Sequence, residues 1–220
     1  METKSGYFIT FEGIDGAGKT TQLRRLAERM QQAGYPIVQT REPGGTAIGD
    51  KVREILLSPD NQNMTPRTEA LLYAASRAQH VDEVIRPSLN QGFTVLCDRF
   101  VDASIAYQGG GLELGEENVA RINAFAVNGV LPDLTILFHL SLEESRKRLN
   151  QSRGAQLDRI EQRDAAYFSR VEEAFRTIAT AHPERVRVID ANRSATEIEQ
   201  EIWLIVLKHI NKIKSNSTGR

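Results

Sequence analysis

Cysteine is almost missing from this 220-residue chain, with Cys97 standing alone. That excludes an internal disulfide and fits a reducing compartment. Neither sign of charge is in excess: 28 Lys and Arg face 29 Asp and Glu, a net charge of −1. No global field therefore draws the protein to nucleic acid or to an anionic membrane, and neither is expected as a partner. No stretch reaches the roughly eighteen uninterrupted apolar residues of a membrane-crossing helix. The opening Met-Glu-Thr-Lys-Ser-Gly has no apolar signal core, so the expected location is the cytoplasm. Internal repeats and low-complexity linkers are missing too. What remains is ordinary for a soluble domain that buries a core: 40% hydrophobic and 26% charged residues.

Short apolar runs predict strands over 7–12, 36–40, 93–98, 134–140 and 186–189. Amphipathic stretches predict helices over 20–33, 48–57, 67–89, 116–127, 142–149, 163–181 and 196–213. Thr65-Pro66 is a good start for the long third helix, with a capping hydroxyl before a first-turn proline. Strands apolar on both faces, alternating with helices, imply an α/β fold with a doubly wound parallel sheet of five strands. The expected organisation is one domain over 1–214 and a polar tail over 215–220.

Residues 13–20 read GIDGAGKT, directly after the first apolar run. This is G-x-x-x-x-G-K-[ST] between a strand and a helix, the arrangement of a phosphate-binding loop. Gly13, Gly16 and Gly18 let backbone N–H groups converge, with Ile14, Asp15 and Ala17 between them. The helix beginning near Lys19 adds its positive dipole end. Lys19 can reach β- and γ-phosphates, and the Thr20 hydroxyl can ligate Mg²⁺. The motif implies a nucleoside triphosphate.

Four further segments carry polar chemistry. Thr40-Arg41-Glu42-Pro43-Gly44-Gly45-Thr46 follows the second strand. It is either a connecting turn with a solvated ion pair or a loop presenting Arg41 and Glu42 to the crevice at the strand ends. The third strand ends in Cys97-Asp98-Arg99. Asp98 stands where phosphate-loop enzymes keep a carboxylate for Mg²⁺, Arg99 offers a fork to a phosphate, and Cys97 reads as core. Ser104, Tyr107 and Gln108 share a helical face suited to reading a base and a sugar; Tyr73 and Arg77 share another, suited to stacking and to phosphate. Each of these is equally compatible with surface or core-edge packing, and His80 reads as structural. Finally, Arg146, Arg148, Arg153 and Arg159 cluster around Gly154. They form either a solvated basic helix or a segment that closes over phosphates.

Together GIDGAGKTT (13–21), TREPGGT (40–46), 71–80, DRFVDASIAYQGGG (98–111) and LDRIE (157–161) resemble the thymidylate kinase family across nearly the whole chain and in family order. The resemblance implies a three-layer αβα kinase fold with a short lid over about 147–160. It implies phosphorylation of dTMP to dTDP by in-line transfer from ATP with Mg²⁺, no covalent intermediate, and a homodimer. Carried over, ATP would lie on 13–20, with Mg²⁺ at Thr20 and Asp98. Asp15 would approach the acceptor sugar and Tyr73 would stack on thymine. Arg77 and Arg99 would hold the acceptor phosphate. Ser104 and Gln108 would meet the base edge, Tyr107 would crowd the 2′ position, and Glu42 and Glu161 would lie near the acceptor. With no cation inside the phosphate loop, Arg153 of the lid would stabilise the moving phosphoryl beside Lys19 and Arg99, with Arg148 a second candidate. Phe100, Ala103 and Leu112 depart from the usual family residues. Kinases of other pyrimidine deoxynucleotides or deoxynucleosides, and a regulatory ATPase, remain the rival readings.

Overall fold

A computed structural model describes residues 6–153 and 157–217; for residues 152, 153 and 212–217 it describes the backbone alone. Five parallel strands form one sheet in the order β2-β3-β1-β4-β5: β1 Tyr7–Glu12, β2 Ile37–Arg41, β3 Thr94–Asp98, β4 Leu134–His139 and β5 Val186–Asp190. Strand β1 is buried along its whole length because it lies between β3 and β4. The chain leaves β1 toward β2 and β3 on one side, and later toward β4 and β5 on the other. Its carboxyl end is therefore a topological switch point, where open α/β sheets bind ligands.

Helices α1 (Lys19–Gln32) and α9 (Ala195–Ser217) cover one face, packing Leu23, Leu26 and Met30 with Ile198, Ile202 and Val206 against Ile9 and Phe11. The other face carries α3 (Pro66–His80), α6 (Glu116–Val127) and α8 (Ala165–Ala181). There Phe8, Val95 and Phe100 meet Val81, Ile85 and Val127, while Leu137 and Val186 meet Phe175 and Ile178. The layers are helix, sheet, helix, as expected. Among the described residues no helix is long and apolar enough to cross a membrane.

Element bounds follow the sequence pattern to within a few residues, with two internal exceptions. The expected helix over 67–89 is divided into α3, a π turn at Val81–Ile85 and α4 (Arg86–Asn90). Pro87 supplies no N–H and its ring crowds the carbonyl four residues back, which a wider turn relieves. The helical turn carrying Ser104, Tyr107 and Gln108 begins as α5 (Val101–Ser104) and then widens into a π segment, Ile105–Gly111. Gly110 and Gly111 let α8 approach closely there, since a Cβ on Gly111 would stand 2.5 Å from the Tyr167 ring. Helix α7 (Leu142–Arg153) is longer than the pattern suggests, and α9 runs into the stretch expected as a tail.

The last residue of β1 is an ionisable group inside the protein. Glu12 is fully buried; its Oε1 accepts the Phe100 N–H at 2.7 Å, while its Oε2 has no partner among the described residues. Burial first, and then the charge of Asp102, pushes its carboxyl up to about 8. Folded chain thus holds this proton to higher pH than unfolded chain, and stability is lost as pH rises from the ordinary carboxylate range toward 8. Glu12→Gln should flatten that decline and melt above the parent at about pH 8. Thermal unfolding at about pH 5 and pH 8 checks this; an unchanged slope would show that Glu12 is not the group responsible.

Candidate active site

The phosphate-binding loop is held from both sides. Gly13 has φ 125° and lies so close to β4 that a Cβ would come within 2.5 Å of the Phe138 carbonyl oxygen. Only glycine fits there. On the other side the Ser145 hydroxyl of α7 donates to the Asp15 carbonyl at 2.7 Å. Lys19 is buried, with Nζ donating to the Ile14 carbonyl at 2.9 Å and 3.7 Å from Asp15 Oδ1. Burial, then Arg99, lowers its pKa. The Thr20 hydroxyl donates to Asp98 Oδ2 at 2.6 Å. Lys19, Thr20, Asp98, Arg53, Arg99 and Arg148 line an open cleft enclosing about 1380 Å³. Arg148 spans this cleft from the Gly16 carbonyl to the Ala191 carbonyl, at 3.5 and 3.1 Å.

A second, narrower cleft of about 540 Å³ adjoins the first. Tyr73, Ser104, Tyr107 and Gln108 line it, so the residues that sequence reasoning placed on two helical faces do converge. Asp15, Glu42, Arg53 and Arg99 belong to both clefts and form their common wall.

Arg99 stands in that wall with its backbone at φ 71°, a conformation uncommon for a side-chain-bearing residue. Hydrogen bonds to the end of β1 hold it: Arg99 N–H to the Phe11 carbonyl at 2.9 Å, and Phe100 N–H to Glu12. The guanidinium donates to Asp15 Oδ1 at 2.8 Å and to the Tyr107 hydroxyl at 3.2 Å, and lies 4.8 Å from the Tyr107 ring centre. Burial opposes its charge, but Asp15, Tyr107 and Asp98 outweigh burial, and its pKa stands well above the usual value.

Arg77, expected to hold a phosphate, is engaged by partners inside the protein. It is 1% exposed, and its N–H groups meet acceptors inside the protein. Nε and Nη2 reach Glu42 Oε2 at 2.7 Å, Nη1 reaches Ser104 Oγ at 2.9 Å and Asn123 Oδ1, and Nη2 reaches the Phe100 carbonyl at 2.9 Å. All three guanidinium nitrogens thus hold acceptors inside the protein, on a side chain that also lines the narrow cleft. Glu42 is engaged likewise, by Arg77 and by His80 Nδ1 at 2.9 Å, while His80 Nε2 lies 2.6 Å from the Thr40 hydroxyl. His80 is structural, as its sequence context suggested, and Cys97 is buried core.

Glu161, expected near the acceptor, directly follows Ile160 of the narrow cleft. Its carboxylate accepts the Asp158 N–H at 3.0 Å while Asp158 Oδ1 accepts the Glu161 N–H at 2.9 Å, a reciprocal turn. Asp158 and Ile160 line the narrow cleft. Arg153 closes α7, but its side chain lies outside the described residues. The sequence reading missed Arg53 of α2 (Ala47–Leu57), which faces both clefts and donates to the Pro43 carbonyl at 3.0 Å. Its one signal is its place two turns into the helix that follows the Pro-Gly-Gly turn.

The thymidylate kinase family model matches residues 11–202. The thymidylate kinase of Exiguobacterium sibiricum is 55% identical over 208 residues, covering 94% of this chain and 97% of that protein. That of Pelobacter propionicus is 46% identical over 216 residues, covering 96% and 98%. Among solved structures, thymidylate kinase from Ehrlichia chaffeensis superposes with a TM-score of 0.74 at 34% identity, covering 92% of this chain and 99% of that one.

Proposed function

This chain belongs to the thymidylate kinase family, and from that premise we propose that it transfers the γ-phosphoryl group of ATP to dTMP, giving dTDP and ADP. The observation that carries this reading is the pair of adjoining clefts with a common wall of Asp15, Glu42, Arg53 and Arg99. Joining two repelling phosphates needs alignment and positive charge rather than a covalent step on the enzyme. The open cleft takes the triphosphate: loop N–H groups cradle it and Lys19 turns from the Ile14 carbonyl to the β- and γ-phosphates. The narrow cleft takes the monophosphate. Tyr73 stacks on the base, Gln108 and Ser104 face its edge, and Tyr107 lies against the sugar. Arg99, turned by Asp15 and Tyr107 toward the common wall, meets the acceptor phosphate, with Arg53 as a second cation. An acceptor phosphate oxygen forms the new bond to the γ-phosphorus as the bridging bond to ADP breaks. Arg153 supplies charge to the moving group, and Arg148 stands beside the nucleoside end of ATP.

Asp98 and Thr20 offer two hard oxygen ligands 2.6 Å apart in the open cleft. Among the described residues no group of three or more His, Cys, Asp or Glu is placed to hold a metal by itself. That donor set fits Mg²⁺, which keeps several waters and leans on substrate phosphates. When bound, Mg²⁺ neutralises charge on the phosphate oxygens.

We also propose a cytoplasmic homodimer. Exposed Ile48 and Ile55 on α2, Leu71 on α3 and Phe125 on α6 (90% exposed) are apolar side chains on neighbouring helices, suited to a two-fold interface. ADP release measured with ATP and, in turn, dTMP, dUMP, dCMP, ribo-TMP and thymidine tests the activity. The largest kcat/KM should be with dTMP. A better rate with thymidine, or equal ADP release without any acceptor, would overturn the reading.

A further inference from the structure

We propose that Glu69 sets the base selectivity of the narrow cleft by fixing which end of the Gln108 amide its occupant meets; this rests on the reading that the cleft takes a pyrimidine. Glu69 and Gln108 are both buried, and Gln108 Nε2 donates to Glu69 Oε1 at 3.0 Å. A carboxylate only accepts, so the amide cannot be turned over: its oxygen would then face another oxygen. Glu69 itself cannot swing away. Arg159 Nη2 lies 2.7 Å and Arg163 Nη2 2.6 Å from its Oε2, and Arg163 Nη1 donates to its Oε1 at 3.3 Å. Arg159 is anchored in turn, with Nε donating to the Leu56 carbonyl at 2.8 Å.

The other end of the amide has the complementary property. Gln108 Oε1 is buried with no hydrogen-bond partner among the described residues, on a side chain that lines the cleft. A buried acceptor without a donor favours an occupant that brings one. Thymine and uracil carry a ring N–H at position 3; cytosine has a lone pair there and leaves the oxygen unsatisfied. Selectivity between these bases therefore depends on a carboxylate that touches no substrate. Glu69 is a positioning residue, acting through Gln108.

Steady-state kinetics with dTMP, dUMP, dCMP and 3-methyl-dTMP on the parent, Glu69→Gln and Glu69→Asp test this. A glutamine at 69 can donate as well as accept, and aspartate falls short of Gln108, so either change frees the amide. Aspartate also keeps a negative charge between Arg159 and Arg163, which protects the fold. The parent should reject 3-methyl-dTMP by about 100-fold or more, and the dTMP-to-dCMP ratio of kcat/KM should fall about tenfold or more in both variants. A loss shared equally by all substrates, with the ratio intact, would overturn the role of Glu69. Parent enzyme using 3-methyl-dTMP as readily as dTMP would instead overturn the placement of the base. Should neither variant fold, the parent decides by amide exchange. The Gln108 side-chain NH₂, assigned by comparison with Gln108→Met, should stay protected with and without dTMP; a freely exchanging NH₂ would overturn the proposal.

Discussion

Replacing Arg77 with methionine should remove about 3–5 kcal/mol of stability, which in a chain of this length lowers the thermal midpoint by roughly 6–20 °C. The reason lies in what the change leaves behind. Glu42 is 3% exposed and, among the described residues, its carboxylate would keep only the His80 ring as partner. Asn123 Oδ1, Ser104 Oγ and the Phe100 carbonyl would each lose a donor. Methionine fills the volume but satisfies none of them, and one unpaired buried carboxylate already accounts for the loss. Lysine should not restore the parent, because one ammonium with three protons cannot reach acceptors on four residues. Thermal unfolding of Arg77→Met and Arg77→Lys measures this. A midpoint within about 2 °C of the parent, with only the KM for dTMP raised, would return Arg77 to the role of a phosphate ligand.

Arg99→Met should have the opposite profile, with kcat/KM for dTMP falling about 10³-fold and little change in melting. Its partner Asp15 remains partly exposed, so water can replace the lost guanidinium. Among the described residues no buried carboxylate is hydrogen-bonded to Arg99 as Glu42 is to Arg77. The loss should fall mainly on kcat, since the fork meets the acceptor phosphate most strongly as charge redistributes during transfer. ATP affinity, measured separately, should change by less than about tenfold because the loop N–H groups and the Lys19 ammonium remain in place. A drop in kcat/KM under about tenfold would show that Arg53 or another cation holds the acceptor phosphate.

The contrast between these two arginines marks where sequence reading succeeds. Strand β1 and its loop were legible because everything that defines them is local: an apolar run, glycines at fixed spacing, then a helix. The i, i+4 spacing of Tyr73 and Arg77 was legible too, and both do reach one cleft. What spacing cannot carry is the identity of distant partners. Arg77 is engaged by Glu42 and Asn123, 35 and 46 positions away, and nothing near it in the chain announces that. Glu161 is expected near the acceptor, and sequence spacing does not announce its reciprocal turn with Asp158. The π turns escaped for another reason: Pro87 and the 109–111 glycines were visible, but a wide turn and a broken helix have the same punctuation in sequence. Arg53 lay on a helix with no motif of its own, and only the fold turns it toward both clefts.

The joint between β1 and Arg99 has a consequence for molecules that would occupy both clefts at once. Arg99 and Phe100 are bonded to Phe11 and Glu12, and the phosphate loop begins at the next residue, Gly13. The distance between the donor cradle and the acceptor fork is thus set by one strand end, before any nucleotide arrives. A dinucleoside polyphosphate whose linker matches that span meets two halves already in register. Its second half then binds at high effective concentration rather than as an independent ligand, and a linker one phosphate too short forfeits the gain.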